Sequence, residues 1–212
     1  MKGNEKELLA RSARPYLKGI ARVSKQLVSL GWAEANAGNF SIRTGDGLIT
    51  KITGAEMRAI AKSPLRYLCF VRPIKGWGYE VLPARATPTK EIFAHILGQR
   101  ALMRFRPEDK VLLHTHPVQL VSLSNQYPRP EQLLQEIFSR FRCRRLLSII
   151  TAVEYAPEGS TLLARRTGRA LKKARLVIWS KHGVIASGKT LSQALRLIIT
   201  VNKVAAGKGY EG

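Results

Sequence analysis

Apolar residues recur at three- and four-residue steps through Leu17, Ile20, Val23, Leu27 and Leu30, the spacing that lines one face of an α-helix. The pattern predicts helix from about Glu7 to Leu30. Pro15 sets off its first part, because a residue without an N–H interrupts the helical ladder. After Gly31 the period shortens to two, in Asn39-Phe40-Ser41-Ile42-Arg43 and again in Leu48-Ile49-Thr50-Lys51-Ile52. Thr44-Gly45-Asp46-Gly47 joins the two runs, so a β-hairpin is expected. Further strands are predicted at 66–72 and 78–82, followed by a helix from Pro88 to about Arg104. Next come a strand over 110–116, two helical stretches within 117–141, a strand at 146–153 and a helix near 161–173. The chain closes with strands at 176–180 and 183–186 and a helix from Leu191 to about Ala206, whose start carries the capping-box spacing Thr190 to Gln193.

Strands joined by tight turns, with helices gathered around them, predict an α/β layered domain with a mainly antiparallel sheet. At 212 residues the chain is long enough for one sizeable core, and a single domain over 1–212 is the expectation. Hydrophobic residues at 45% and charged residues at 24% exclude disordered, collagen-like and membrane-spanning classes. Cys69 and Cys143 show no CxxC pairing, which argues against a disulfide framework or a cysteine zinc module and for a reduced, cytoplasmic setting. The N-terminal stretch has no apolar h-region, so no secretory signal is expected.

Charge adds a question. Lys and Arg number 36 against 14 Asp and Glu, a net charge of +22, which favours encounter with polyanions. The basic residues are nevertheless spread along the chain. Two local concentrations, RFRCRR at 140–145 and ARRTGRALKKAR at 164–175, match no nucleic-acid motif. A solvated basic surface is the expected reading, with nucleic-acid binding the lesser one.

Four histidines are present. His114 and His116 form His-x-His, and a strand sends both imidazoles to one face. His182 follows an apolar run and precedes Gly183. Three neutral imidazoles around one divalent ion, with a position left open, match a catalytic zinc-type site; the plainer alternative is histidines hydrogen-bonded at a sheet edge. His95 sits mid-helix and is read as structural. In Ala86-Thr87-Pro88-Thr89-Lys90-Glu91, Thr87 suits an N-cap and Pro88 the first helical position. Backbone N–H groups there, with the Thr89 hydroxyl and the Lys90 ammonium, would form an anion cradle suited to phosphate. Glu91 would either complement the helix dipole or aim a carboxylate into a cleft. The small residues and amides of GWAEANAGN at 31–39, with Thr53-Gly54 after the hairpin, mark turns where backbone approaches a ligand.

In order and spacing these segments resemble the class II aldolase/adducin family: Gly38-Asn39-x-Ser41-x-Arg43, Leu48-Ile49-Thr50 with Thr53-Gly54, Pro88-Thr89-x-Glu91, His114-x-His116-Pro117, and His182-Gly183 before a final helix. The resemblance covers roughly 15–206 and implies a three-layer α/β/α fold. It implies Zn²⁺ held by His114, His116 and His182, with Glu91 as the catalytic carboxylate. It assigns Asn39, Thr53, Gly54, Thr89 and Lys90 to phosphate binding and Asn36 to a further substrate contact. The implied reaction is reversible retro-aldol cleavage of a phosphorylated ketose through an enediolate, in a cyclic homotetramer. A pentulose-phosphate epimerase or a methylthioribulose-phosphate dehydratase would use the same kind of metal site, and a noncatalytic adducin-like anion-binding module is the reading of a different class. The chain departs from the family pattern at Lys90, commonly Ser, and at Ala55, and 136–145 offers no clear second carboxylate.

Overall fold

The computed structural model describes residues 2–45, 47–140 and 144–207. Helices α1 (Lys2–Ala13) and α2 (Leu17–Ser29) are divided by a 3-10 turn, Arg14–Tyr16, that contains Pro15. Strands β1 (Asn39–Thr44) and β2 (Gly47–Lys51) form the expected hairpin, with Ser41 opposite Thr50 and Thr44 opposite Gly47. Then come α3 (Met57–Lys62), a 3-10 turn at Pro64–Tyr67, β3 (Leu68–Pro73), β4 (Tyr79–Leu82) and α4 (Ile92–Phe105). Strand β5 (Val111–Thr115) leads into α5 (Val118–Gln126), α6 (Pro130–Arg140) and α7 (Arg144–Leu147). The remainder is β6 (Ile150–Val153), α8 (Thr161–Ala170), β7 (Leu176–Trp179), β8 (Gly183–Gly188) and α9 (Leu191–Ala205).

The strands form one eight-stranded sheet in the order β4-β3-β2-β1-β5-β8-β7-β6. Every pairing is antiparallel except β6 with β7. Strand alternation sorts the side chains onto two faces. Phe40, Ile42, Val111, Leu113, Val184 and Ala186 pack against α2, α3, α5, α6 and α9. Leu112, Ile185, Val177 and Trp179 pack against α4 and α8 on the other face. The result is the α/β/α layering with a mainly antiparallel sheet that the sequence suggested. Among the described residues no helix is long and apolar enough to cross a membrane.

Three local expectations are revised. The helix expected to start at Pro88 begins at Ile92, with Glu91 in the capping position. Pro88 instead bridges Ile52, the Thr53 N–H donates to the Thr87 carbonyl and the Thr89 N–H to that of Lys51. The segment thus continues the sheet beside β2, which Pro88 tolerates because its own nitrogen is not asked to donate, and a residue before proline favours extended backbone. The strand expected over 146–153 is helical to Leu147 and extended only from Ile150; Leu146, Leu147 and Ile149 pack on the core without forming a ladder, and a short apolar run does not by periodicity separate helix from strand. Finally, α3 lies in a stretch that carried no prediction, and the strand expected from 66 starts at Leu68 because Arg66 and Tyr67 belong to the 3-10 turn before it. Residues 141–143, half of the basic run at 140–145, lie outside the described residues.

Candidate active site

One end of the sheet gathers the start of β1, the end of β2, the end of β5 and the turn between β7 and β8. Asn39 lies opposite His114, and His114 lies opposite Ile185, so the strand register alone brings these ends together. The turn that carries His182 has Lys181 in the left-handed region at φ 61°, and its N–H donates to Ser124 Oγ of α5 at 3.0 Å. Gly183 leaves no room for a side chain: a Cβ there would stand 2.6 Å from His116 Cδ2 and 3.0 Å from His114 Cε1. Gly38, at φ 73°, lets the 36–38 loop approach the carbonyl of His114.

The three imidazoles His114, His116 and His182 meet at this end, with ligand nitrogens within 4.8 Å of one another. His114 Nε2 and His116 Nε2 are 3.0 Å apart. His114 Nδ1 donates to the Val184 carbonyl at 2.8 Å, which fixes the tautomer and leaves the Nε2 lone pair for a cation. Burial, followed by the neighbouring His116 and His182 rings, holds His114 well below the ordinary imidazole range. Burial also pushes His116 down to about 4, with His182 adding to the effect, and lowers His182. All three rings are therefore neutral near pH 7, the state a metal requires. Trp179 walls the site, its ring 4.4 Å from His114 and 5.1 Å from His182.

Glu91 joins from the start of α4. It is buried, and its Oε2 accepts from Asn39 Nδ2 at 2.8 Å and from the Thr89 hydroxyl at 2.8 Å. Glu91 and Glu158 also lie with His182 in a second group of donor atoms within 4.8 Å. The hydrogen-bonding contact with Glu91, then burial and the Glu91 charge, raise the Glu158 carboxyl. This donor set, three neutral nitrogens beside carboxylate oxygen, fits a divalent cation.

A cleft next to these groups is lined by Asn36, Asn39, Lys51, Thr53, Gly54 and Lys90, among others. The ten candidate residues from the sequence thus come to one place: the three imidazoles and Glu91 at the base, the amides, Thr53-Gly54 and Thr89-Lys90 around the cleft. Asn39 and Thr89 line it while their side-chain donors are engaged with Glu91. Two residues escaped sequence reasoning. Lys51 is buried, donates to the carbonyls of Asn36 at 2.5 Å and Ala55 at 2.8 Å, and is lowered to about 8 by burial against the opposing pull of Glu91. Its signal was a lysine two residues after Ile49, on the apolar parity of β2. Glu158 arrives from the loop between β6 and α8, where Gly159 at φ 71° packs against the Lys90 backbone and Ser160 caps α8. No local pattern marked it.

Residues 18–207 match the family described as Class II Aldolase and Adducin N-terminal domain. The chain belongs to that family, and it is an enzyme of its carbon–carbon lyase type. It is similar to the rhamnulose-1-phosphate aldolase of Escherichia coli O7:K1, at 26% identity over 234 residues, covering 92% of this chain and 85% of that protein. The rhamnulose-1-phosphate aldolase of Enterococcus faecalis is 22% identical over 233 residues, covering 90% and 81%. Among solved structures, a sugar-phosphate aldolase from Thermotoga maritima superposes with a TM-score of 0.79 at 27% identity, covering 91% of this chain and 93% of that one. An l-fuculose-1-phosphate aldolase from Thermus thermophilus shares the fold, with a TM-score of 0.68 at 22% identity and coverage of 91% and 92%.

Proposed function

We propose that this chain, acting as a single domain, is a zinc-dependent aldolase that reversibly cleaves a phosphorylated ketose such as rhamnulose 1-phosphate by breaking the bond between the carbons α and β to its carbonyl. The observation that carries the reading is the meeting of three neutral imidazoles with a buried carboxylate held by two donors. His114, His116 and His182 would hold Zn²⁺, which supplies Lewis acidity toward the ketose carbonyl and its adjacent hydroxyl and so stabilises the charge left on cleavage. Glu91 carries the proton to and from the carbon that loses its bond. Asn39, Thr53, Gly54, Thr89 and Lys90 would surround the phosphate end, with Asn36 a further substrate contact. Lys51 adds a buried ammonium whose two hydrogen bonds leave one of its three N–H donors for an anion, and among the described residues no carboxylate lies within ion-pair distance of it. Holding the phosphate orients the reacting carbons rather than making bonds.

In zinc-loaded protein, Glu91→Gln should retain stoichiometric metal and lose at least about 100-fold in kcat on rhamnulose 1-phosphate. Full turnover by that variant would remove Glu91 from the chemistry. The relatives named as aldolases favour cleavage over epimerisation or dehydration of the same class of substrate. The intact metal-ligand set favours an enzyme over an anion-binding module. The family resemblance further supports a cyclic homotetramer; light scattering at low and high salt should give four times the chain mass at both, and a monomer at both would refute it.

A further inference from the structure

We infer that a one-way chain of buried hydrogen bonds, running Gln99 to Ser41 to His95 to Asn39, fixes the orientation of the Glu91 carboxylate, and that His95 is its central positioning residue. This rests on Glu91 being the proton-carrying carboxylate. His95 lies on α4, fully buried, and faces β1. Its Nε2 is 2.5 Å from Asn39 Oδ1 and its Nδ1 2.9 Å from Ser41 Oγ. Gln99, one helical turn further along α4, donates to Ser41 Oγ at 3.0 Å and to the Lys110 carbonyl at 3.1 Å.

The direction of every link is forced by the one before it. Asn39 turns Nδ2, which can only donate, toward Glu91 Oε2 and its Oδ1, which can only accept, toward His95. His95 must then donate from Nε2. Burial pushes the ring to about 3, so it is neutral and has a single N–H. Nδ1 therefore accepts, and the Ser41 hydroxyl is its donor. The Ser41 oxygen is left to accept from Gln99. Reversing any link would turn the Asn39 carbonyl toward Glu91, setting acceptor against acceptor between two buried side chains. Because Asn39 and Thr89 both donate to Oε2, Oε1 is the carboxylate oxygen that these donors leave unengaged.

The first test is the tautomer. In zinc-loaded protein labelled with ¹⁵N-histidine, His95 should show a protonated Nε2 and an unprotonated Nδ1, unchanged between about pH 5.5 and 8.5. A protonated Nδ1 in that range, alone or in a cationic ring, would overturn the chain's direction. The second test is kinetic, on rhamnulose 1-phosphate. His95→Leu should lower kcat by about 10- to 100-fold with KM and zinc content little changed, the usual cost of removing a partner that orients a functional group. His95→Gln, which returns an N–H near the Nε2 position, should recover most of that loss. Equal kcat for wild type and a folded His95→Leu, or equal loss in both variants, sinks the inference. If His95→Leu does not fold, Ser41→Ala serves in its place: it should lower kcat while Nε2 stays protonated, because the Asn39 oxygen still takes that N–H, and an unmoved kcat or a shift to the Nδ1-protonated form counts against the chain. Failure of the Glu91 reading is distinct, because it appears as activity in Glu91→Gln whatever the tautomer of His95.

Discussion

At the scale of single residues, burial decides what each ionisable group can do. Lys51 is held by two backbone carbonyls and lowered to about 8. Its folded value is depressed, so the ammonium is present below about pH 8 and is lost as pH rises through that value. Affinity for a phosphorylated ketose should fall in the same window, with KM rising above pH 8 while kcat holds. Lys51→Met should raise KM about tenfold or more, the worth of one charge-assisted hydrogen bond at roughly 1.5–3 kcal/mol, and should abolish that pH dependence. Steady-state kinetics from pH 6.5 to 9.5, run with both proteins, decide it. This lysine was hidden in the sequence because parity along a strand marks it as misplaced without saying what it faces. Glu158 was hidden more deeply: its neighbours Glu91 and His182 come from other segments altogether.

At the scale of elements, the hairpin formed by β7 and β8 is what brings His182 to His114 on β5 and to His116 just past its end. Val184 pairs with Thr115 and Ile185 with His114, and the carbonyl of Val184 sets the tautomer of His114. Gly183 is the close point of this packing. Gly183→Ala should push a methyl group into both imidazoles and weaken zinc binding by about 10- to 100-fold, measured by chelator competition, with a stability loss of roughly 1–3 kcal/mol from overpacking. Unchanged affinity would mean the rings relax freely. Most elements were legible from periodicity, including the 3-10 break around Pro15, the first hairpin and α9, whose Thr190 accepts from the Gln193 N–H at 3.2 Å. The start of α4 was not, because the Pro88 segment is claimed by the chain just past the end of β2, a partner 36 residues earlier in the chain at Ile52.

At the scale of the whole molecule, the net charge of +22 is dispersed by the fold. The run at 164–175 becomes α8 and the turn after it, where Arg166 pairs with Glu154, Arg175 with Glu108 and Asp109, and Arg165 lies over the Trp77 ring. Helical spacing sends neighbouring cations in different directions, so a dense run in the sequence does not make one patch. The proposed metal site would act on the same scale, because ligands drawn from the end of β5 and the turn before β8 would tie the middle of the sheet together. Removing zinc with a chelator should lower stability by about 2.7 kcal/mol when free metal had stood at 100 times its Kd, seen in calorimetry as a fall of roughly 5–10 °C in Tm. An unchanged melting curve would mean that the imidazoles hold no ion.

Taken by itself, the sequence determined the layered α/β class, the hairpins and the helix faces, because these follow from periodicities of two and 3.6 residues that are written locally. It also determined which side chains could serve as ligands, since chemistry belongs to residue type. Only the tertiary structure decided that Glu91 is gripped by Asn39 and Thr89, that Lys51 and Glu158 stand beside it, and that His95 reaches it through Asn39. Such contacts join residues far apart in the chain, and their hydrogen bonds exist only once the sheet and α4 have excluded water between them.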